Sequence, residues 1–430
     1  MADALLVPDG YRPRLVETRL QSLMESFGCV EVRGPKWCGK TWTALSHSAS
    51  ATRLDDPSER AAAELDPRLA LVGDRPHLVD EWQEIPEVWD AARRLVDDSG
   101  NRRGLLLLTG STSLSQADRK RIRHTGAGRI ARLRMRPMSL VESGLSSGLV
   151  SLQGLLNGST IDPVPQETEL LDVARWICRG GWPANVDLAD DSAMLTASQY
   201  IQAVLDVNVL NEGRSPALAL ALMRALAVNQ SQNVTHKTLA RDMSYGEKGV
   251  EEATIVAYLE LLDRLFLTEE LPGWEPPMRA KARVRVKPKR YFTDPSLGAA
   301  LMTATPRKLL SDAQTFGLLF EALVIRDLRV FLSTYTGLGN DLFYYRDDKG
   351  LEVDAIIEYG ETWAGVEIKL SETKIEEAVA NLTRLRDKVT ANPAARHAEP
   401  AFLAVIVGRG HLAYTRPDGI HVIPVATLNA

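Results

Sequence analysis

The residues with the clearest chemical meaning are Gly34-Pro35-Lys36-Trp37-Cys38-Gly39-Lys40-Thr41, which fit GxxxxGK[ST] at every fixed position. The glycines let backbone N–H groups close around phosphate oxygens, and a helix starting there adds partial positive charge. Lys40 would reach the β- and γ-phosphates of ATP, and Thr41 would hold Mg²⁺. The cofactor-binding stretch runs on to Trp42. Trp37 and Cys38 fill variable positions. A thiol at a helix N-terminus can become reactive, but tolerated filler is the plainer reading of Cys38. A chance match in a loop is the alternative to nucleotide binding. The expected strand before the motif and helix after it favour the nucleotide.

Hydrolysis needs an acid at the end of a second strand. His77-Leu78-Val79-Asp80-Glu81 supplies one. Asp80 would complete the Mg²⁺ shell, and Glu81 would orient or deprotonate the attacking water. The alternative is a solvated acidic turn, since Glu84 and Glu87 follow. A third strand, Leu105–Leu108, leads into Thr109-Gly110-Ser111. Ser111 could sense the γ-phosphate, or simply cap a helix. A basic run follows, from Arg119 to Arg136. Arg129, and after it Arg121, could stabilise transferred phosphate in cis or across the interface of a homo-oligomer. A solvated basic face or a nucleic-acid contact would also explain the run.

A second constellation lies near the C-terminus. Asp354 sits on one expected strand and Glu367-Ile368-Lys369 on the next. Residues i and i+2 share a face of a strand, so Glu367 and Lys369 point the same way. Asp354 and Glu367 could hold Mg²⁺, which prefers oxygen ligands, and Lys369 could position or activate a water for attack on phosphorus. Glu321 lies in a strongly apolar helix, between Leu318 and Ile325, where a carboxylate needs a partner or a metal. Glu352 shares the face of Asp354 and is an alternative ligand. Alternating charges along a half-exposed sheet are the alternative explanation.

The elements that must carry these residues fall into three parts. In 1–145, short apolar runs (Cys29–Val32, Leu78–Val79, Leu105–Leu108) alternate with helical periods (Arg14–Ser26, Thr41–Ser48, Ile85–Val96), which predicts a parallel α/β sheet. The second part, 146–290, starts with a Gly/Ser/Pro-rich linker and continues in helices. Ala217–Leu267 reads as three short helices, and basic residues then occupy every odd position from Arg279 to Lys289. That order resembles a winged helix, with a basic strand face able to contact phosphates; a charged edge strand is the alternative. The third part, 291–430, reads as the apolar helix Phe316–Leu332, then strands Leu342–Tyr345, Leu351–Tyr359 and Thr362–Leu370. A helix Lys374–Lys388 and a strand Ala401–Val407 complete it.

The 430 residues carry 51 Lys and Arg against 56 Asp and Glu, a net charge of −5, with 45% hydrophobic residues. That excludes disorder or fibrous structure as the main state, and a surface built throughout for nucleic acid. No apolar run is long enough for a membrane span, and no signal peptide is read at the N-terminus. Cys29, Cys38 and Cys178 are scattered, which predicts neither zinc nor disulfides and fits a cytoplasmic protein.

The segments GPKWCGKT, LVDEWQEIP and LLLTGSTS resemble the AAA-type P-loop ATPases of bacteria and archaea that carry a C-terminal domain of unknown function. RPRL at Arg12–Leu15, RGGWP at Arg179–Pro183 and KRYFTDPSL at Lys289–Leu297 extend the resemblance over nearly the whole chain. It implies an N-terminal ATPase core and a C-terminal restriction-endonuclease-like α/β domain. The Asp354/Glu367/Lys369 arrangement is similar to the PD-(D/E)xK nuclease core, with Glu321 as the added acid. The expectation is an ATPase using ATP and Mg²⁺ that controls nucleic-acid binding or processing, with DNA the more expected partner. The alternative is a nucleotide-controlled regulator or toxin-like factor acting through protein partners, its nuclease-like domain catalytically inactive.

Overall fold

The computed structural model describes the chain except residues 1–4, 112–115, 244–248, 275–286, 336–340, 394 and 396–398. Most of the basic strand read at Arg279–Lys289 therefore lies outside the described residues. The chain divides into two compact units. One comprises Met1–Pro137 with Arg264–Phe266 and Ser333–Thr336, and the other holds the rest.

The first unit contains α1 (Glu17–Ser26), β1 (Cys29–Arg33), α2 (Lys40–Leu45), β2 (Ser50–Arg53), α3 (Pro57–Leu65), β3 (His77–Asp80), α4 (Val88–Asp98), β4 (Leu106–Gly110), α5 (Gln116–Arg119) and β5 (Ile130–Arg134). Its sheet has the order β2-β3-β4-β1-β5, and every pairing is parallel. Successive side chains of a strand point to opposite faces. Val30 and Val32 accordingly pack with Leu20, Leu23, Ala44 and Leu45 of α1 and α2. Cys29, Val79, Leu106 and Leu108 pack on the other face with Val88, Trp89, Ala92 and Val96 of α4. β2 and β5 escaped the sequence pattern because both are edge strands with polar or basic residues among their apolar ones. Arg132 of β5 stays at the edge, beside Glu31 at 3.2 Å and over the Trp89 ring.

The second unit opens with β6 (Val150–Ser151), α6 (Leu152–Leu156) and β7 (Val164–Thr168). The stretch expected to be a linker thus folds onto the C-terminal region: β6 pairs with β15 (Leu428–Asn429), and β7 with β13 (Phe402–Thr415). Helices α7 (Leu170–Arg179), α8 (Asp190–Ala203), α9 (Pro216–Val228), α10 (His236–Met243) and α11 (Glu252–Arg264) follow, then β8 (Thr268–Leu271) and β9 (Lys289–Phe292), which pair antiparallel. Three of these helices, α9 to α11, stand directly before the β8–β9 pair.

Helices α12 (Pro295–Leu301), α13 (Pro306–Ser311) and α14 (Ala313–Leu332) lead into β10 (Asp341–Arg346), β11 (Glu352–Tyr359) and β12 (Thr362–Ser371). After α15 (Ile375–Thr390), β13 and β14 (His421–Pro424) complete a mixed sheet ordered β10-β11-β12-β13-β14. β10 to β12 pair antiparallel, and β12 pairs parallel with β13. Leu382, Leu385 and Val389 of α15 pack with Val353, Ile356, Val405 and Val422 of the sheet.

The RGGWP and TDPSL segments meet in a buried knot. Gly181 N–H donates to Asp294 Oδ2 at 2.9 Å, and Trp182 Nε1 to Ser296 Oγ at 3.0 Å. Arg326 joins Asp294 at 3.0 Å to Asp327 at 2.7 Å, and Asp327 Oδ2 accepts Leu140 N–H at 3.1 Å. A Cβ on Gly181 would lie 2.1 Å from Met138 O, so only glycine fits this approach. Among the described residues no helix is long and apolar enough to cross a membrane.

Candidate functional site

The phosphate-loop residues stand at the carboxyl end of β1, the edge of a parallel sheet where ligands bind. Gly34 has no room for a side chain, because a Cβ would come within 2.1 Å of Met135 O. Lys40 begins α2 and is buried, its Nζ donating to Pro35 O at 2.8 Å. The ammonium therefore lies against the loop backbone. Trp37 and Trp42 stay about half exposed, at 49% and 48%. Cys38 is fully buried, with Sγ 3.9 Å from Met135 O. Burial of that kind denies oxidants access and leaves Cys38 as packing.

β3 and β4 deliver the acids and hydroxyls to the same edge. Thr41 Oγ1 donates to Asp80 Oδ1 at 3.0 Å, and Thr109 Oγ1 donates to the same oxygen. Burial pushes the Asp80 carboxyl above its ordinary value, partly opposed by the Thr109 and Thr41 hydrogen bonds. A desolvated carboxylate beside a threonine hydroxyl is an oxygen pair suited to Mg²⁺, which usually takes one or two protein carboxylates and completes its shell with water and phosphate. Glu81 follows with a left-handed backbone, φ 54°. Its Oε2 accepts Ser111 Oγ at 3.2 Å and also Gln83 Nε2. The structure thus joins Lys40, Thr41, Asp80, Glu81 and Ser111 along one edge.

Three supports were not read from the sequence. Thr109 shares the Asp80 oxygen, Gln83 holds Glu81, and Arg14 clamps the loop. The Arg14 guanidinium is buried and donates to Cys38 O at 2.7 Å and Arg136 O at 2.9 Å. Tyr11 OH reaches Glu17 Oε1 at 2.6 Å and Thr43 Oγ1 at 3.1 Å, tying this N-terminal segment to α2. RPRL carried the signal for Arg14 but not its target, which lies 24 residues on.

Arg129 corrects an expectation. It precedes β5, and its carbonyl accepts Cys29 N–H at the start of β1, so it stands at the edge opposite the phosphate loop. Its Nε pairs with Asp97 at 2.7 Å. It cannot serve the phosphate site of its own chain. Arg121 pairs with Glu87 at 2.9 Å.

The C-terminal residues also converge, with different partners from those expected. β11 and β12 pair antiparallel with Ala355 opposite Val366, which brings Asp354 beside Glu367. Lys369 Nζ lies 3.2 Å from Asp354 Oδ2 and also contacts Glu367 Oε2. Asn381 donates to Glu367 Oε1 at 3.0 Å. Although burial opposes its charge, the Asp354 and Glu367 carboxylates raise the Lys369 pKa further, which suits positioning a water better than deprotonating one. The acid expected to complete the metal set is engaged by other groups: Glu321 Oε1 accepts Lys289 Nζ at 3.0 Å and Tyr291 OH at 2.7 Å. Among the described residues no group of three or more His, Cys, Asp or Glu side chains is placed to hold a metal ion. Lys289, read as the end of an exposed basic face, is 2% exposed.

Residues 26–143 match the AAA domain family. Residues 170–308 and 316–428 match two domains of unknown function, DUF8612 and DUF4143. Uncharacterized proteins of Mycobacterium tuberculosis and Mycobacterium bovis are each 26% identical over 363 residues, 83% of this chain and 73% of theirs. Among solved structures, a Walker-type ATPase of Pyrococcus abyssi is 14% identical with a TM-score of 0.45, covering 70% of this chain and 99% of that one. The ORC1 protein of Aeropyrum pernix in complex with DNA is 13% identical with a TM-score of 0.25, covering 69% and 94%. The AAA-domain match and the parallel sheet agree on an AAA-type P-loop fold for the first unit.

Proposed function

We propose that the AAA-type unit binds and hydrolyses ATP, and that its nucleotide state controls binding of nucleic acid by the second unit without cleavage. The observation that carries the ATPase reading is the 3.0 Å contact between Thr41 Oγ1 and Asp80 Oδ1, which joins the phosphate loop to the acid of β3. Lys40 binds β- and γ-phosphate oxygens, exchanging the Pro35 carbonyl for them. Thr41 and Asp80 hold the magnesium ion, which would neutralise charge between the phosphates. Glu81, held by Gln83 and Ser111, orients the attacking water and takes its proton. Ser111 takes the γ-phosphate contact.

Nucleic acid as the partner of the second unit is supported by its three-helix and hairpin order and by the basic residues of 279–287 in the sequence. The Lys289–Glu321 pair, which engages the acid expected to complete a metal site, favours binding over cleavage. One experiment tests the proposal: ATP turnover and DNA retention, with and without ATP, for wild type and Glu81→Gln. General-base catalysis contributes about 10²–10⁴-fold, so Glu81→Gln should lose turnover by that factor and lock retention in its ATP-bound level. Turnover equal to wild type would sink the role of Glu81. Retention that ignores nucleotide in both proteins would sink the coupling, and fragmentation of the DNA would sink binding without cleavage.

A further inference from the structure

The second unit contains a buried charge cluster that the nucleotide chemistry does not use. Four carboxylates, Glu321 of α14, Glu352 and Asp354 of β11 and Glu367 of β12, meet two lysines, Lys289 of β9 and Lys369 of β12. We infer that the Lys289 ammonium is the resident cation of this cluster, and that the cluster takes no divalent metal ion.

The inference is independent of the ATPase reading and rests on where the oxygens point. Lys289 Nζ lies 3.0 Å from Glu321 Oε1, 2.8 Å from Glu352 Oε1 and 3.9 Å from Asp354 Oδ1. It also stands over the Tyr344 ring, 5.3 Å from the centroid, an added attraction for a cation. The other Asp354 oxygen accepts Ile368 N–H at 2.8 Å and Lys369 at 3.2 Å. Glu367 is taken by Lys369 and Asn381. The carboxylates therefore converge on nitrogen atoms. Magnesium would need near-octahedral oxygens at about 2.0–2.1 Å, around a point of its own.

Charge alone would not exclude a metal, since four carboxylates against Lys289, Lys369 and Arg346, which lies 3.6 Å from Glu352, leave a surplus of one negative charge. Geometry does. A divalent ion bound to Asp354 and Glu321 would compete with Lys289 for both, and the ammonium is 2% exposed with its backbone fixed opposite Leu271 in the hairpin. The cluster thus acts as a charge-paired joint between the β8–β9 hairpin and the C-terminal sheet of the same unit.

The test uses the full-length protein without nucleotide. Manganese binding is counted by electron paramagnetic resonance in wild type, Asp354→Asn, Lys289→Met and the double variant. Lysine accessibility is read in wild type by reductive methylation and mass spectrometry. The expected result is equal Mn²⁺ binding by wild type and Asp354→Asn, and one additional ion in Lys289→Met that the double variant loses. Lys289 should stay unmethylated with or without Mn²⁺, while the exposed Lys374 is methylated in both. The inference is overturned if wild type holds one ion more than Asp354→Asn, if a folded Lys289→Met gains none, or if Mn²⁺ opens Lys289 to methylation. Should Lys289→Met fail to fold, the wild-type comparison and the methylation pattern decide the question alone.

Discussion

Replacing Arg14 with methionine tests how the phosphate loop is held. Methionine keeps an apolar stem of similar reach but removes the guanidinium. Two carbonyls, the buried Cys38 O at 2.7 Å and the half-buried Arg136 O at 2.9 Å, then lose their donor. A hydrogen bond to a charged group contributes about 1.5–3 kcal/mol, so the pair contributes about 3 kcal/mol at the low end. Cys38 lies inside the loop, and nucleotide must restore the geometry that Arg14 now imposes. At about 1.4 kcal/mol per factor of ten, Arg14→Met should bind nucleotide about a hundredfold more weakly. Arg14→Lys retains a donor for one of the carbonyls and should lose about tenfold. Titration with a fluorescent ATP analogue measures both, with circular dichroism to verify folding. If both folded variants bind as tightly as wild type, the clamp does not set the loop and the reasoning fails.

Two further predictions concern packing and charge. Gly34→Ala places a Cβ 2.1 Å from Met135 O, a backbone atom that cannot swing away. It should destabilise the first unit by about 3 kcal/mol, the upper range for overpacking, and abolish nucleotide binding; thermal unfolding and the same titration check it, and near-wild-type values would refute it. Burial raises the Glu321 carboxyl to about 7 from 4.5, opposed by Lys289. The folded protein therefore keeps a proton that the unfolded chain releases, so stability should fall as pH rises from about 4.5 to about 7 and level off above. The loss is of order 3 kcal/mol at about 1.36 kcal/mol per pH unit. Glu321→Gln should remove that part of the slope in urea unfolding followed across this pH range, and an unchanged slope would refute the assignment.

The site was legible where chemistry is local. The phosphate loop is a contiguous run, because the same few backbone N–H groups must surround one phosphate. Asp80 and Glu81 follow an apolar run whose only role is to be a buried strand. The apolar helix containing Glu321 was equally visible, since periodicity is a property of neighbours in the chain.

What the tertiary structure decided is which distant groups meet. Arg129 carries the right charge, but parallel pairing of β5 with β1 puts it at the wrong end of the sheet. Arg14 and Thr109 gained roles only when folding brought them to Cys38 and Asp80. Lys289 shows the difference most clearly. Period-two spacing assigned it to a basic face, and spacing does identify a face, but not what covers it. Strand β9 laid Lys289 on Glu321, Glu352 and Asp354, and a residue read as a phosphate contact became a buried counter-ion. Sequence determines which side chains share a surface; only the packed chain determines which charges must neutralise one another, because desolvation and Coulomb attraction act through space.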